Sequence, residues 1–394
     1  MQTYFANYVL AGSLGLVSIA FPMLIARKEI SQAYIMLALF LIFTSVANAL
    51  PMFIQAVPGI KLYSLAVVIP SYIFQPVCLW FYVKAICSPT LWNIKQNRYL
   101  HFVVPALSLL YALVLLFTPS QYVTELMHGQ EQALSQPAEF LAIITFCFML
   151  IWIIQSSIYI YLITKRLLTY RRELRQLFAS NDKREMGWLF FVISGISVVW
   201  ILAFFTLLLS FSGKTHDALT NTLLVGYYVL LWLISFWGLR QKPGFNERYL
   251  QKDDLDAIAA LITVEDTPAK YNRSGLDEAR AAKIADKIEQ VMKAKSLYLN
   301  PDLSLKLLAA EIAEKPNYVS QALNQKLNSS FFDYVNGHRI EHSKQLISQS
   351  QLSIIDVAFA SGFNAKSSFY KAFKMKTGQT PKQFAAKESA IGLE

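Results

Sequence analysis

The stretch that decides the fold is GFNAKSSFYKAFKMKTGQTP, residues 362–381. Phe369 and Phe373 are four residues apart, so on a helix their rings share one face and are expected to be buried together. The opposite face then carries hydroxyl and ammonium groups, on Lys366, Ser367, Tyr370, Lys371 and Lys374. Six lysines and no acidic residue occur from Lys366 to Lys387, a local positive field that suits phosphate groups. Because a run of lysines is ordinarily only solvated surface, its interpretation depends on the surrounding sequence.

Upstream residues repeat a pattern of two short helices joined by a turn. The stretch LSLKLLAAEIA, residues 303–313, is expected to begin a helix opened by Pro301 and Asp302, with an apolar face of Leu305, Leu308, Ala309 and Ile312. EKP then turns the chain into NYVSQALNQKL, residues 317–327, whose inward positions are Val319, Ala322, Leu323 and Leu327. The opposite, free face carries Asn317, Ser320, Gln321 and Asn324. Small polar residues on the free face of the second helix indicate a helix-turn-helix.

A second helix-turn-helix is predicted further along the chain. FFDYVNGHRIEHSKQLISQ, residues 331–349, is expected to form a long linking helix, and SIIDVAFASGF, residues 353–363, a short helix ending at Gly362. Glycine at that position suits a left-handed turn, and Asn364 is the predicted N-cap of the final helix. The two motifs are expected at residues 303–327 and 353–376.

The first 240 residues have a different character. Of the 394 residues, 55% are hydrophobic and only 16% are charged, against about 25% in soluble domains. A membrane helix needs about 20 apolar residues, and seven segments satisfy this requirement: 4–26, 33–57, 62–87, 99–118, 138–164, 188–211 and 221–239. The N-terminus lacks a basic region before its apolar run, so we expect a retained first span rather than a cleaved signal peptide.

Basic residues in the short loops predict the orientation of these spans. One set of loops carries only two basic residues, Lys61 and Lys214. The other set carries eleven, namely Arg27, Lys28, Lys95, Arg98, Lys165, Arg166, Arg171, Arg172, Arg175, Lys183 and Arg184. The N-terminus is therefore expected outside the cell and everything after residue 240 in the cytoplasm. The basic run KRLLTYRRELRQ, residues 165–176, is interpreted as an anchor for lipid headgroups and not as a DNA contact.

The composition of the spans argues against an embedded enzyme or ion pump. Their interiors carry neither Asp nor Glu, and the last span carries no lysine for a Schiff base. The three cysteines show no metal-site spacing, so no cofactor or metal is predicted. Uncharged polar and aromatic residues are expected to make contacts between helices or to line a pocket for a small, largely uncharged signal: Asn48, Gln55, Tyr72, Gln75, Trp80, Trp152, Gln155, Trp200, Tyr227 and Trp232.

Four regions are therefore expected along the chain. Residues 1–240 form a seven-span, sensor-like domain, 241–275 a linker, 276–298 an amphipathic connecting helix, and 299–394 a DNA-binding domain. The connecting helix has an apolar stripe that packs on the domain beyond it or pairs with a second chain, formed by Leu276, Ile284, Ile288, Val291 and Met292.

Two stretches resemble the AraC/XylS family of bacterial transcription regulators. LSLKLLAAEIAEKPNYVSQALNQKLNSSFFDYVNGHRI, residues 303–340, is similar to the first helix-turn-helix and linking helix of that family. IIDVAFASGFNAKSSFYKAFKMKTGQTPKQF, residues 354–384, is similar to its second motif and closing signature, with the GF turn, paired Phe residues, Lys374 and TGQTP. The preceding spans resemble a subgroup in which such a domain follows a membrane bundle.

The resemblance implies that each recognition helix enters a major groove of one DNA duplex. The base-contacting positions of the family fall on Asn317, Ser320 and Gln321 in the first helix, and on Lys366, Ser367, Tyr370 and Lys371 in the second. Amide side chains there would pair with adenine, and Lys371 with guanine, each good pair discriminating by about 1–3 kcal/mol. The implied partners are double-stranded DNA, the lipid bilayer, RNA polymerase, an unidentified small-molecule or membrane signal, and a second copy of the chain.

The sequence therefore predicts an all-α protein, a seven-helix transmembrane bundle followed by a cytoplasmic AraC-type domain with two helix-turn-helix motifs. Its predicted function is signal-dependent transcription regulation, without enzymatic activity, from the bacterial inner membrane. Two other classes remain open at this point: a signalling scaffold whose helix-turn-helix domain binds protein, and a small-molecule transporter with a regulatory tail.

Overall fold

The computed structural model describes residues 2–27, 31–88, 99–128, 134–180, 186–211, 217–241, 276–349 and 352–391. The chain divides into two compact units. The first comprises Met1–Leu167 and Met186–Phe245, and the second comprises Leu168–Glu185 and Asn246–Glu394. Across the described ranges the regular structure is helical apart from one isolated antiparallel bridge between Phe178 and Ser304, so the predicted all-α class is confirmed.

Eight α-helices begin in the first unit. They are α1 (Gln2–Ile25), α2 (Ser31–Ala56), α3 (Ser64–Ile86), α4 (Leu100–Phe117), α5 (Ser120–His128), α6 (Gln136–Leu177), α7 (Gly187–Phe211) and α8 (Asp217–Arg240), with a short 3-10 helix at Pro58–Tyr63. Each predicted span corresponds to one of these helices. The short α5 lies in a segment that the sequence suggested to be a loop. The predicted linker lies outside the described residues, apart from Gln241.

Six described helices are long and apolar enough to cross a membrane, by length and composition. The six comprise α1, α2, α4, α6, α8 and a 29-residue segment, Pro58–Ile86, that contains α3. In α7, the apolar stretch whose side chains are described is Gly187–Leu202, and it is shorter than each of these six segments. Pro70 and Pro76 are accommodated inside α3, and Pro105 inside α4, because a proline in an apolar bundle leaves backbone groups that neighbouring helices can satisfy.

Large apolar side chains cover much of the outer surface of the first unit. The exposed residues include Leu107, Leu110, Leu113 and Phe117 on α4, Phe140, Ile143, Phe146, Ile154 and Ile158 on α6, and Phe191, Val198, Ile201 and Phe205 on α7. A soluble protein rarely leaves an apolar surface of this extent in water. This unit therefore carries apolar side chains on its outer surface as well as in its core.

The second unit contains the remaining helices. They are α9 (Glu278–Lys295), α10 (Leu305–Glu311), α11 (Pro316–Gln325), α12 (Phe331–Gln349), α13 (Ile354–Ala360), α14 (Lys366–Thr377) and α15 (Pro381–Ile391). Helices α10 and α11 form the first helix-turn-helix, α13 and α14 form the second, and α12 links them. The last turns of α6, from Leu168 onward, also belong to this unit.

Helix α9 packs on the first helix-turn-helix. Its buried positions are Ala281, Ile284, Ala285, Ile288 and Met292, and α9 contacts α11. The apolar stripe therefore packs on the following domain, one of the two arrangements expected. Glu314 forms ion pairs with Lys287 at 2.8 Å and with Arg280 at 3.5 Å. The hydrogen bond that Lys287 donates lowers the pKa of the Glu314 carboxyl.

The paired phenylalanines form the core of the second helix-turn-helix. Phe369 and Phe373 are fully buried, with ring centroids 5.5 Å apart, and Phe384 of α15 packs on Phe373 at the same distance. Gly362, at the end of the turn after α13, has φ of 84°, and the amide N–H of Phe363 donates to the Ala358 carbonyl at 3.1 Å. The positive φ matches the sequence prediction of a left-handed turn, and the hydrogen bond is the one that accompanies such a helix end.

Two predicted helix starts are wrong. The first motif begins at Leu305 with Ser304 as its N-cap, because the Ser304 hydroxyl accepts from the Leu307 amide at 3.3 Å, whereas Pro301 and Asp302 precede the helix in a turn. Helix α14 is preceded by Ala365, which makes no side-chain cap. Asn364 instead uses its amide to donate to the Pro301 carbonyl and the Ser180 hydroxyl, both at 3.2 Å. A tertiary contact has replaced the local one.

Arg339, in the middle of α12, is fully buried. Its guanidinium donates to the carbonyl oxygens of Tyr298 at 2.7 Å, Asn300 at 2.8 Å and Ala179 at 3.3 Å, and it lies 5.6 Å from the centroid of the Phe363 ring. The planar group satisfies several carbonyls at once, which compensates the cost of burying its charge. One side chain thus joins the loop before α10, the second motif and the end of α6.

The end of α6 is attached to this unit by backbone and side-chain hydrogen bonds. The Ala179 amide donates to the Leu303 carbonyl at 3.1 Å, and the Ala179 carbonyl accepts from the Asn336 amide at 3.1 Å. Arg175 approaches Asp333 at 3.7 Å, with its guanidinium 5.0 Å from the centroid of Phe332. One residue of the basic run, Arg175, therefore makes defined contacts with α12, which the interpretation of the run as a headgroup anchor did not anticipate.

Replacing Gly362 with alanine should destabilise the second motif. A Cβ at this position would lie 2.6 Å from the Tyr298 carbonyl oxygen and 2.9 Å from that of Leu299, in addition to the left-handed strain of about 1–2 kcal/mol. Gly378→Ala has a similar φ of 78° but no atom within 4 Å, so it measures the strain alone. Hydrogen–deuterium exchange of the peptide covering α14 in the full chain in micelles would compare them. Equal protection loss in the two variants would contradict the steric account.

Replacing Arg339 with lysine should loosen the junction that the guanidinium holds. One ammonium group cannot reach carbonyls on three segments, and each buried acceptor left without a partner costs about 1–3 kcal/mol. We expect faster exchange in peptides covering residues 298–303 and 331–349 of the full chain. Arg172→Lys, at an exposed position on α6, is the matched control. Unchanged exchange in Arg339→Lys would show that the junction does not depend on the guanidinium.

Candidate nucleic-acid interface

The second recognition helix, α14, presents the surface that the sequence predicted. Lys366, Ser367, Lys371 and Lys374 are exposed, and Tyr370 is half-buried with the Lys366 ammonium 5.5 Å from its ring centroid. The buried Phe369 and Phe373 fix the rotation of the helix about its axis, so the lysines cannot turn inward. The helix thus displays a cationic face with two hydroxyl groups on a rigid aromatic base.

The positive field around α14 is not neutralised by neighbouring carboxylates. Lys376, Lys382 and Lys387 are exposed as well, and in the described ranges no acidic side chain forms an ion pair with any lysine from Lys366 to Lys387. Exposed cations without local partners are the arrangement that phosphate contacts and counterion release require. The electrostatics of α14 suit a polyanion.

The first recognition helix, α11, differs from the prediction. The sequence suggested a free polar face, but Ser320 and Gln321 are only 6% and 7% exposed, and Asn317 and Asn324 are half-buried. Val319, Ala322 and Leu323 are buried as expected. Burial therefore extends around most of the helix. Small polar residues at helical spacing cannot distinguish an exposed face from a covered one, because either environment accepts them.

Two polar atoms on the covered face of α11 lack hydrogen-bond partners. The Asn317 Oδ1 and the Gln321 Nε2 are buried and have no hydrogen-bond partner among the described groups. An unpaired buried polar atom costs about 1–3 kcal/mol. The polar face that the resemblance would turn toward DNA is thus covered at Ser320 and Gln321, and two of its polar atoms are unpaired where they lie. The contact role of all eight predicted residues stays a prediction, three of them on α11 and five on α14.

The first unit contains a cavity of about 70 Å³. Four of the ten uncharged residues singled out in the spans line it, namely Gln75, Trp152, Trp200 and Tyr227. Trp152 packs between Tyr72, at 5.0 Å, and Trp200, at 4.6 Å between centroids. The Gln75 Nε2 is buried with no hydrogen-bond partner in the described part of the bundle. Gln155 instead donates to the Ile73 carbonyl at 3.2 Å, which is a contact between helices.

Sequence reasoning did not identify the junction in the C-terminal unit that Asn336, Arg339 and the end of α6 form. The residues beside Arg339 carry no signal of its burial, because only Ile340 of His338, Ile340 and Glu341 is apolar. Its partners are distant in sequence, up to the 160 residues that separate it from Ala179, so no local pattern could name them. In the part of the chain that the structure describes, no group of three His, Cys, Asp or Glu residues is placed to hold a metal ion.

Comparison with known proteins gives matches in this region. A helix-turn-helix domain family matches residues 308–387. An uncharacterised HTH-type transcriptional regulator of Staphylococcus aureus (strain COL) is 34% identical over 106 residues, which are 27% of this chain and 14% of that protein. The melibiose operon regulatory protein of Escherichia coli (strain K12) is 28% identical over 82 residues, 21% of this chain and 27% of that protein.

Among solved structures, the C-terminal domain of AraT, a response regulator from Geobacillus stearothermophilus, matches 29% of this chain and 88% of its own, with 24% identity and a TM-score of 0.25. The chain spans only a small part of the length of its curated relatives. The family match runs from residue 308, within α10, to residue 387, within α15. The C-terminal region of this chain is a helix-turn-helix domain of the AraC type.

Proposed function

We propose that the protein is a sequence-specific, DNA-binding transcription regulator embedded in the bacterial inner membrane. Its C-terminal domain lies in the cytoplasm, its N-terminus lies outside, and it has no enzymatic role. The single observation that carries the proposal is α14, where exposed lysines and hydroxyls stand on a buried aromatic core in an AraC-type domain. Phosphate attraction from the lysines supplies affinity, and base contacts from Lys366, Ser367, Tyr370 and Lys371 supply specificity.

The membrane part of the proposal rests on the outer surface of the first unit. Its exposed leucine, isoleucine and phenylalanine side chains would be solvated by lipid, which removes the cost of leaving them in water. The excess of basic residues in one set of loops supports the orientation. A regulator anchored in this way requires its operator to approach the membrane.

Regulation is supported by the contrast between the two recognition helices. Helix α14 is open to solvent, whereas the base-reading positions of α11 are covered, so full recognition of two successive major grooves requires α11 to be uncovered. A ligand shifts such an equilibrium only by binding one state better than the other. We place the signal in the cavity lined by Gln75 and Trp152, where a small uncharged molecule could pair with the unsatisfied amide. RNA polymerase and a second copy of the chain are further proposed partners.

The experiment that tests the function is mapping of DNA crosslinked to the full-length protein in its native membrane. Discrete enriched sites sharing a sequence motif would support specific regulation. A uniform pattern over the genome, or no enrichment above that of a chain lacking residues 276–394, would exclude sequence-specific binding. Uptake assays in vesicles distinguish the proposed regulator from a small-molecule transporter, because only the transporter would move a solute across the membrane.

Replacing Lys371 with alanine should relax the preference for one base step by about 1–3 kcal/mol. The measurement is fluorescence anisotropy of the full chain in nanodiscs with a bound operator and its single-base variants, at two salt concentrations. Lys293→Ala, on the outer face of α9, is the matched control because it also removes one exposed cation. If Lys371→Ala weakened binding equally for all sequences, the side chain would have only a phosphate role.

The covered state of α11 predicts a difference in chemical access between two serines. In the full chain in nanodiscs with a Cys147→Ser background, a cysteine introduced by Ser367→Cys should react quickly with a water-soluble maleimide, and one introduced by Ser320→Cys should react far more slowly. Both substitutions change one hydroxyl into a thiol and therefore disturb the fold little. The remaining native cysteines, Cys78 and Cys87, are buried. Equal labelling rates would show that α11 is open without a signal.

A further inference from the structure

The cavity in the first unit lies where five helices meet. The described residues that line it come from α2, α3, α6, α7 and α8, and all of them belong to that unit. None of these described lining residues carries a charged side chain. Burying an ion there would cost far more than burying a neutral group, because no opposite charge in the wall compensates it. The wall therefore selects a neutral molecule.

The side-chain amide nitrogen of Gln75 lies in this wall without a hydrogen-bond partner among the described groups. Other polar groups of the wall are already bonded. The Thr44 hydroxyl donates to the Phe40 carbonyl at 2.8 Å. The Tyr159 hydroxyl makes a hydrogen bond with His101 Nδ1 at 2.7 Å. An amide nitrogen can only donate, so a ligand that satisfies Gln75 has to present an acceptor oxygen.

Aromatic rings form another part of the wall. The ring centroids of Trp152 and Trp200 lie 4.6 Å apart, with the ring planes inclined at 46°, and Tyr227 also lines the space. Such rings give a large contact area to the apolar part of a ligand without adding a charge. A mostly apolar wall with a well-placed polar group is the usual construction of a small-molecule site, in which the polar group fixes the orientation of the ligand.

The volume of the cavity limits the size of the ligand. It is about 70 Å³, whereas an engineered apolar cavity of about 150 Å³ in another protein holds benzene. By this proportion the space holds about three or four non-hydrogen atoms. Leu230, which lines the cavity, cannot withdraw toward α7, because a Cβ on Gly195 would already lie 2.7 Å from its Cδ2 atom.

We propose that this cavity binds a small neutral carbonyl compound, of the size of a short-chain ketone. Gln75 Nε2 would donate to the carbonyl oxygen, and Trp152, Trp200 and Tyr227 would cover the apolar part. A carbonyl oxygen needs no acceptor from the wall, whereas a hydroxyl group would bring a donor of its own. The inference rests on the proposed function, because it names the chemical class of the signal placed in this cavity.

The test is fluorine NMR of the full chain in nanodiscs, labelled with fluorotryptophan. The chain has seven tryptophans, so Trp152→Phe and Trp200→Phe are used to assign the two cavity signals. Acetone, isobutene and acetate have nearly the same shape, but only acetone is both neutral and able to accept a hydrogen bond. We expect millimolar acetone to shift the two signals, isobutene at equal concentration in the membrane to act more weakly, and acetate to have no effect. Trp188, which bonds to Gln241 and does not line the cavity, is the internal control.

Gln75→Leu removes the donor and keeps a side chain of similar size. It should weaken acetone binding by about three- to tenfold, the loss expected for one neutral hydrogen bond, and should not weaken isobutene binding. Gln55→Leu makes the same change at an exposed position that does not line the cavity, and is the matched control. Equal losses of acetone binding in the two variants would overturn the site.

Trp200→Val tests the size limit by enlarging the cavity. Cyclopentanone should shift the Trp152 signal in this variant and not in the unsubstituted chain. A variant that failed to fold could not gain a ligand in this way. A cyclopentanone shift of the same size in both chains would contradict the size limit.

Operator binding, measured on the same nanodiscs, separates this inference from the proposed function. Acetone should change operator affinity in the unsubstituted chain and change it less in Gln75→Leu. If the chain binds a specific operator but acetone shifts neither cavity signal, the ligand inference fails alone. Acetone binding without any sequence-specific DNA binding would retain the cavity site and reject the regulator.

Discussion

The C-terminal unit depends on the burial of one guanidinium group. Arg339 has no access to solvent, and its charge is tolerated because backbone carbonyls of Tyr298, Asn300 and Ala179 surround it. Backbone carbonyls are fixed by their own segments, so the cation imposes the relative positions of three pieces of chain. Gly362 packs against the same segment, because the Tyr298 and Leu299 carbonyl oxygens leave no space for a Cβ atom at this position. The two motifs and the end of α6 are thereby held as one packed unit.

This junction gives the end of α6 a role that a loop between spans would not have. Helix α6 is continuous from Gln136 to Leu177, and its last turns are bonded to α12 through Arg175 and Ala179. The turns of α6 from Leu168 onward are therefore part of the C-terminal unit.

The two recognition helices illustrate how similar local patterns acquire different environments. Both carry small polar or basic residues on one side and apolar residues on the other. Helix α14 is anchored by two phenylalanines that leave its cationic face in solvent, whereas α11 is enclosed and buries Gln321 with its amide nitrogen unpaired. A lysine could not be enclosed in this way without a large desolvation cost, but glutamine and serine can. Side-chain chemistry thus permits covering of the first helix and opposes covering of the second.

The sequence by itself determined the helical class, the apolar segments, the buried Phe369 and Phe373 pair, the left-handed Gly362 turn and the exposed lysines of α14. These features depend on residues a few positions apart, where helical periodicity and backbone sterics act directly. Only the tertiary structure decided that Asn364 bonds to Pro301 instead of capping a helix, that Gln321 is covered, and that Arg175 and Ala179 join α12. Those outcomes depend on groups far apart in the chain, and the competition between a local hydrogen bond and a distant one is settled only when the segments pack together.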